Sequence, residues 1–258
     1  MTGILANLAE LSGIGQDMGW AFFLVFLRVG AALSVMPAFG EQSVPQRVRL
    51  VIALAFTAII TPAVAPALSP GGPVAAAIAA EVVAGLLIGI GLRLMVMALQ
   101  IAGTIAAQAA SLTQVFGGLS GEPQPAMANL FVMAGLALAV MAGLHVRAAE
   151  LVILSYDLLP PGRLPGPSDV ADWGLDRIAR VFALGFSLAA PFVIASVLYN
   201  VALGFINRAM PQLMVSFVGA PALTLGGLVL LALATPLLLG VWTQALSDQL
   251  SAPFTIAP

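Results

Sequence analysis

Long runs of apolar residues alternate with short clusters of proline, glycine and charge along the whole chain. A helix that crosses the hydrocarbon core of a bilayer needs about 20 mostly apolar residues, and the runs reach that length repeatedly. The first, Met18 to Phe39, is interrupted by Arg28 and Pro37 and gives way to a polar turn, Glu41 to Arg49. The second runs from Val48 to Val64 and stops in a break marked by Pro62, Pro66, Pro70 and Pro73. The third, Val74 to Leu92, holds Glu81 inside and Arg93 at its end, and Leu94 to Val115 continues helical but less apolar. Phe116 to Pro125, reading FGGLSGEPQP, is the strongest breaker segment in the chain. Ala126 to Leu144 is a further span; Ala148 to Leu159 is apolar but short, as in an interfacial or re-entrant piece. Pro160 to Asp176 reads as the most polar loop. Val181 to Ile206, with Pro191 inside, is followed by a polar turn, Asn207 to Gln212. The last run, Leu213 to Val241, contains Pro221 and Pro236, and a short tail follows from Trp242. The pattern predicts an all-α polytopic membrane protein of about six broken hydrophobic helices, one integral membrane domain over residues 1–258.

Composition strengthens this. Of 258 residues, 61% are hydrophobic and only 8% charged, with mean hydropathy +1.08, whereas a soluble domain carries about 25% charged residues. A water-facing surface cannot be built from so few, so most of the outer surface must meet lipid or other apolar protein. The 18 prolines and 26 glycines supply many helix interruptions. In lipid, non-helical backbone survives only where protein buries it or it lines a cavity, which points to partners or an internal passage. With no cysteine, disulfides and thiolate metal sites are excluded. A net charge of −2 gives no footprint for nucleic acid. Met1 to Gly19 has no basic flank and contains Glu10 and Asp17, so a cleavable signal peptide is not expected. The acidic N-terminus and the Arg47 and Arg49 pair place the N-terminus outside and the first loop in the cytoplasm by the positive-inside rule.

Two features bear on function. Gln100, Thr104, Gln108 and Ser111 recur at helical spacing on one face, beside the small residues Gly103, Ala107 and Ala110. Polar groups in hydrocarbon cost several kcal/mol each unless paired. This face therefore packs against another helix through small and polar groups, or forms the wall of a passage or a subunit seam. The adjoining segment, with Phe116, Gly117, Gly118, Leu119, Gly121, Glu122 and Pro123, is by composition a solvent turn. A flexible loop with an apolar tip would equally suit a movable plug.

Charges inside spans are functional hypotheses by default. Arg28, Glu81 and Arg93 qualify; Glu81 can pair with either arginine, and the readings are a structural ion pair, a pair with a partner subunit, or ion conduction. His145, the single histidine, sits beside Arg147 at a helix end and reads as interfacial. Asn200, Gly204 and Arg208 share a face, with Arg208 placed to snorkel before Pro211 and Gln212 stop the helix. Gly85 and Gly89 form a GxxxG close-packing pair. No catalytic triad, phosphate loop or metal-ligand cluster is present in the sequence, so no enzyme activity and no cofactor are expected.

Several blocks, in order, resemble the FliR family: FLRVGAALSVMPAFGEQSVPQRVRL (Phe26 to Leu50), EVVAGLLIGIGLRL (Glu81 to Leu94) with its E-x3-G-x3-G pattern, and QIAGTIAAQAA (Gln100 to Ala110). GEPQPAMANLF (Gly121 to Phe131), GLH (Gly143 to His145) and SYDLLPPG (Ser155 to Gly162) follow. The most specific is NVALGFINRAMPQLMV (Asn200 to Val215). Glu122-Pro123 stands where Asp-Pro is more usual, and Met214 where the family has Asn, which puts any role of that polar side chain in doubt.

The resemblance implies a non-enzymatic subunit of the flagellar type III export gate in the bacterial inner membrane, at the basal body. Such a subunit is packed into a helical complex with FliP-like and FliQ-like subunits, beside FlhA-like and FlhB-like proteins. It would help form a channel for unfolded protein substrates, with the segment at Phe116 to Pro125 as plug. Two other readings fit the sequence: a secondary transporter or channel for a small solute, and the equivalent subunit of a virulence-type injectisome.

Overall fold

The computed structural model describes residues 2–68, 73–110, 126–210 and 215–254. Every regular element among them is helical: α1 (Thr2–Val35), α2 (Gln46–Val64) with a 3-10 turn at Ala65–Ala67, α3 (Val74–Ala109), α4 (Ala126–Met141), α5 (Leu144–Leu158), α6 (Pro167–Ala209) and α7 (Val215–Ser251). Among the described residues five helices are long and apolar enough to cross a membrane, and α4 with α5 passes the same test as an interrupted pair. The all-α polytopic membrane class read from the sequence is the class observed. At about 1.5 Å per residue, the 36, 43 and 37 residues of α3, α6 and α7 run to roughly 54–65 Å, against about 30 Å for a hydrocarbon core. Each of these three is far longer than one perpendicular crossing requires.

Chain breaks have local causes. α1 ends at Val35 because Pro37 drives Met36 away from helical backbone. The turn that follows puts Ala38 at φ 67 and returns the Gly40 amide to the Met36 carbonyl at 2.7 Å. Gly143, at φ 81, separates α4 from α5 and is the N-cap of α5; only glycine takes this left-handed backbone without cost.

Several boundaries differ from the sequence expectation: α1, expected from Met18, begins at Thr2, and two others matter for the packing. Pro167 to Asp176, expected as loop, is the start of α6. Pro167 and Asp169 suit a first helical turn, where a missing amide is harmless and a negative charge is favoured. Its apolar side buries Trp173 while Asp169 and Asp172 stay exposed, so polarity there marks one face of a helix. Likewise α7 continues past Val241 to Ser251, and the expected tail begins with Trp242, which is fully buried.

The chain divides into two compact units. One comprises Met1–Arg93, Ala142–Asp176 and Asp248–Pro258; the other comprises Leu94–Met141 and Arg177–Ser247. In the first unit α2 packs against α1 and α5. The buried positions of α1, from Ala21 through Leu24, Val25, Arg28, Val29, Ala32 and Leu33, follow helical periodicity on one face. In α5 the buried face is Leu144, Ala148, Leu151, Val152, Ser155 and Tyr156. Trp173 donates its indole N–H to the Pro253 carbonyl at 3.0 Å.

In the second unit α3 and α4 approach backbone to backbone: a side chain at Gly103 would collide with Ala128. Trp242 donates to the Met95 carbonyl at 2.8 Å, and Phe131 meets Phe192 edge to face at 6.4 Å.

Candidate functional site: a buried arginine cluster and an exposed amide face

The first unit is organised around Arg28, which is fully buried. Its Nε donates to Glu81 Oε2 at 2.7 Å and its Nη2 to Glu81 Oε1 at 3.2 Å, a two-pronged pair between α1 and α3. Nη1 donates to Ser155 Oγ at 2.9 Å and Nη2 to the Leu159 carbonyl at 2.9 Å. Four of the five N–H donors of a guanidinium are thus engaged. The Tyr156 ring lies under the guanidinium, 3.7 Å from Cζ to the ring centroid, and its hydroxyl donates to Glu81 Oε2 at 3.1 Å.

Each partner is local chemistry carried to one place. α5 ends at Leu158 and the Arg163 amide turns to the Pro160 carbonyl, so the Leu159 carbonyl, one of the unpaired acceptors of a helix end, takes its donor from a side chain. Glu81, Gly85 and Gly89 lie one helical turn apart on α3. A Cβ at Gly85 would overlap the Arg28 carbonyl, and one at Gly89 the Ala32 carbonyl. The two glycines therefore bring the backbones of α1 and α3 together where Glu81 meets Arg28. Removing one partner of a buried pair leaves an unpaired charge, so the three segments are mutually dependent.

The other intramembrane arginine is committed elsewhere. Arg93 Nη1 pairs with Glu41 Oε1, both side chains about a third exposed. Arg49 donates to the carbonyls of Phe39 at 3.1 Å and Glu41 at 3.0 Å, pinning the turn after α1.

Ser155 Oγ accepts from Arg28 and donates its own proton to the Val152 carbonyl at 2.6 Å. Among the described residues no group of three or more His, Asp or Glu is placed to hold a metal ion.

Residues 19–249 match the family model described as bacterial export proteins, family 1. Over 86% of its length the chain is 35% identical to the flagellar biosynthetic protein FliR of Caulobacter vibrioides, covering 90% of that protein. It is 29% identical to FliR of Escherichia coli strain K12, with 86% and 88% covered, and 25% identical to FliR of Bacillus subtilis strain 168, with 80% and 82% covered. The chain belongs to the FliR family of bacterial export proteins.

Three blocks that carry the FliR resemblance, around Arg28, Glu81–Gly89 and Ser155–Pro161, converge on the cluster above. In the second unit, the α3 block presents Gln100 and Gln108 exposed and Thr104 half-buried, while Gly103, Ala107 and Ala110 face inward. No hydrogen bond joins Gln100, Thr104 or Gln108 to another described side chain or to backbone outside its own helix. Asn200 is exposed and donates to Ser196 O at 2.8 Å and Ser196 Oγ at 3.2 Å; Arg208 is exposed in the last turn of α6. Ser111, Gln212 and the expected plug segment, Phe116 to Pro125, lie outside the described residues.

An apolar cavity of about 350 Å³ opens between α6 and α7, lined by Phe192, Ala195, Tyr199, Ala222, Gly226 and Leu230 among others. The Tyr199 hydroxyl is engaged with Gly219 O at 2.8 Å, so the cavity offers little to a polar solute.

Sequence reasoning did not single out Ser155, Tyr156, Trp173 or Trp242.

Proposed function

We propose that this chain is a non-enzymatic subunit of the flagellar type III protein export gate. It forms part of the inner-membrane channel for unfolded flagellar substrates at the basal body. It acts as one integral membrane domain, assembled with FliP-like and FliQ-like subunits beside FlhA-like and FlhB-like proteins. The observation that carries this reading is the convergence of three separated FliR-family blocks on one buried cluster, in a chain whose family is that of bacterial export proteins. The large exposed apolar surfaces support an assembled state: Ile194, Val197, Leu198, Val201 and Phe205 of α6 are uncovered, and patches of this kind mark contact with lipid or protein.

The face of Gln100, Thr104, Gln108 and Ser111 serves as channel wall or subunit seam. The segment at Phe116 to Pro125 serves as the plug, on the strength of its sequence and its place directly after that helix. Apolar contacts that dewet are a general way to close such a pore. Affinity purification of the tagged chain in mild detergent tests the reading. Recovery of FliP-like and FliQ-like proteins in fixed ratio is expected, and a clean monomer or homodimer would overturn it.

A further inference from the structure

We infer that the exposed face of α3 is a neutral hydrogen-bonding rail for the backbone of an extended polypeptide in transit. The inference rests on the export-channel reading and decides between its two uses of this face. Gln100 and Gln108 are exposed and Thr104 half-buried, beside the packed positions Gly103, Ala107 and Ala110, and none bonds another described side chain. Three uncharged polar groups left open on the otherwise apolar Leu94 to Ala109 part of α3 need partners that both donate and accept, because unpaired they cost several kcal/mol each.

A glutamine amide offers two donors and an acceptor, and a threonine hydroxyl one donor with acceptor capacity. That is the complement of a peptide backbone, which presents one N–H and one C=O per residue whatever its side chains. The spacing agrees. One step of four residues along α3 is about 6 Å, close to the roughly 6.6 Å that separates alternate residues of an extended chain.

Charge agrees as well. Among the described residues of the unit that carries this face there is no Asp or Glu, its three arginines, Arg177, Arg180 and Arg208, all lie on α6, and the face itself carries no charge. A fixed charge in a low-dielectric passage would hold or repel passing side chains strongly. A neutral amide rail exchanges partners as the chain advances and accepts substrates of either charge.

The test uses cells making the full complex, with reporters built on one exported flagellar protein that carries an acidic, a basic or a neutral unstructured segment. Co-purification of the gate is measured in parallel. The unmodified chain should export all three reporters at similar rates. With Gln100→Lys and Gln108→Lys together, the complex should stay intact while the ratio of acidic to basic reporter exported shifts on the order of tenfold. Gln100→Glu with Gln108→Glu should shift the ratio the other way. Gln100→Leu with Gln108→Leu should keep the complex and slow all three reporters equally.

Intact complexes whose charged variants leave the ratio unchanged would overturn the inference. So would loss of co-purification in the leucine pair, which would make the face a subunit seam. If the unmodified chain neither joins such a complex nor supports export, the export-gate reading itself fails, and that outcome is separate.

Discussion

Arg28 and Glu81, 53 positions apart in sequence, form a two-pronged ion pair in which neither side chain is exposed. The pair joins α1 to α3, and through Ser155 and Leu159 the same guanidinium holds the end of α5. A buried ion pair adds little net stability over well-packed apolar groups, but losing one partner is costly. Arg28→Met alone, or Glu81→Gln alone, should destabilise the protein by about 3–5 kcal/mol. The paired replacement Arg28→Met with Glu81→Leu should cost clearly less than the sum. Thermal unfolding in detergent, run as a double-mutant cycle, checks this; additive losses would mean the two residues are not coupled.

The Glu41–Arg93 pair should behave differently. Its side chains are 27% and 33% exposed, so solvent screens the attraction, and Arg93→Gln should cost no more than about 1 kcal/mol. The same unfolding measurement, repeated at high salt, should narrow the gap between variant and parent.

Glycines separate by contact. Gly85→Ala places a methyl group on the Arg28 carbonyl, a backbone atom that cannot move aside alone. It should cost about 1–3 kcal/mol through separation of α1 and α3. Gly30, in α1, has nothing within 4 Å of a built Cβ. Gly30→Ala should be neutral or stabilising by about 0.5–1 kcal/mol. Equal losses at both positions would contradict the packing described.

Membrane spans and candidate chemistry were legible to different depths. Hydropathy located the apolar stretches because the solvent imposes a length and a composition. It misplaced the start of α6 and the end of α7, because Asp169, Asp172 and the sequence after Trp242 are polar on one side only. The Glu81-Gly85-Gly89 face could be read from spacing. That Glu81 chooses Arg28 over Arg93 could not, since the choice depends on which helices touch. Tyr156 passed unnoticed because an aromatic residue in an apolar helix gives no sign of the cation beneath which it will lie.

Trp242 anchors the second unit by a hydrogen bond as well as by bulk. Trp242→Phe keeps most of the ring but leaves the Met95 carbonyl without the indole donor. A loss of about 0.5–1.5 kcal/mol is expected, against about 3–5 kcal/mol for Trp242→Ala. Thermal stability in detergent separates the two, and indistinguishable variants would show that the hydrogen bond carries all of the effect.

Replacing both Phe116 and Leu119 by serine tests the plug. Passage of ions through membranes containing the assembled complex should rise well above that of the parent, with assembly unchanged. Membranes that stay equally tight would remove the plug role from this segment.

Export itself is the most direct measure. Flagellar hook and filament proteins should disappear from the culture medium when this chain is deleted from its own cells, and return when the unmodified chain is restored. They should stay absent when the restored chain carries Arg28→Met. Undiminished export from the deleted strain would contradict the account.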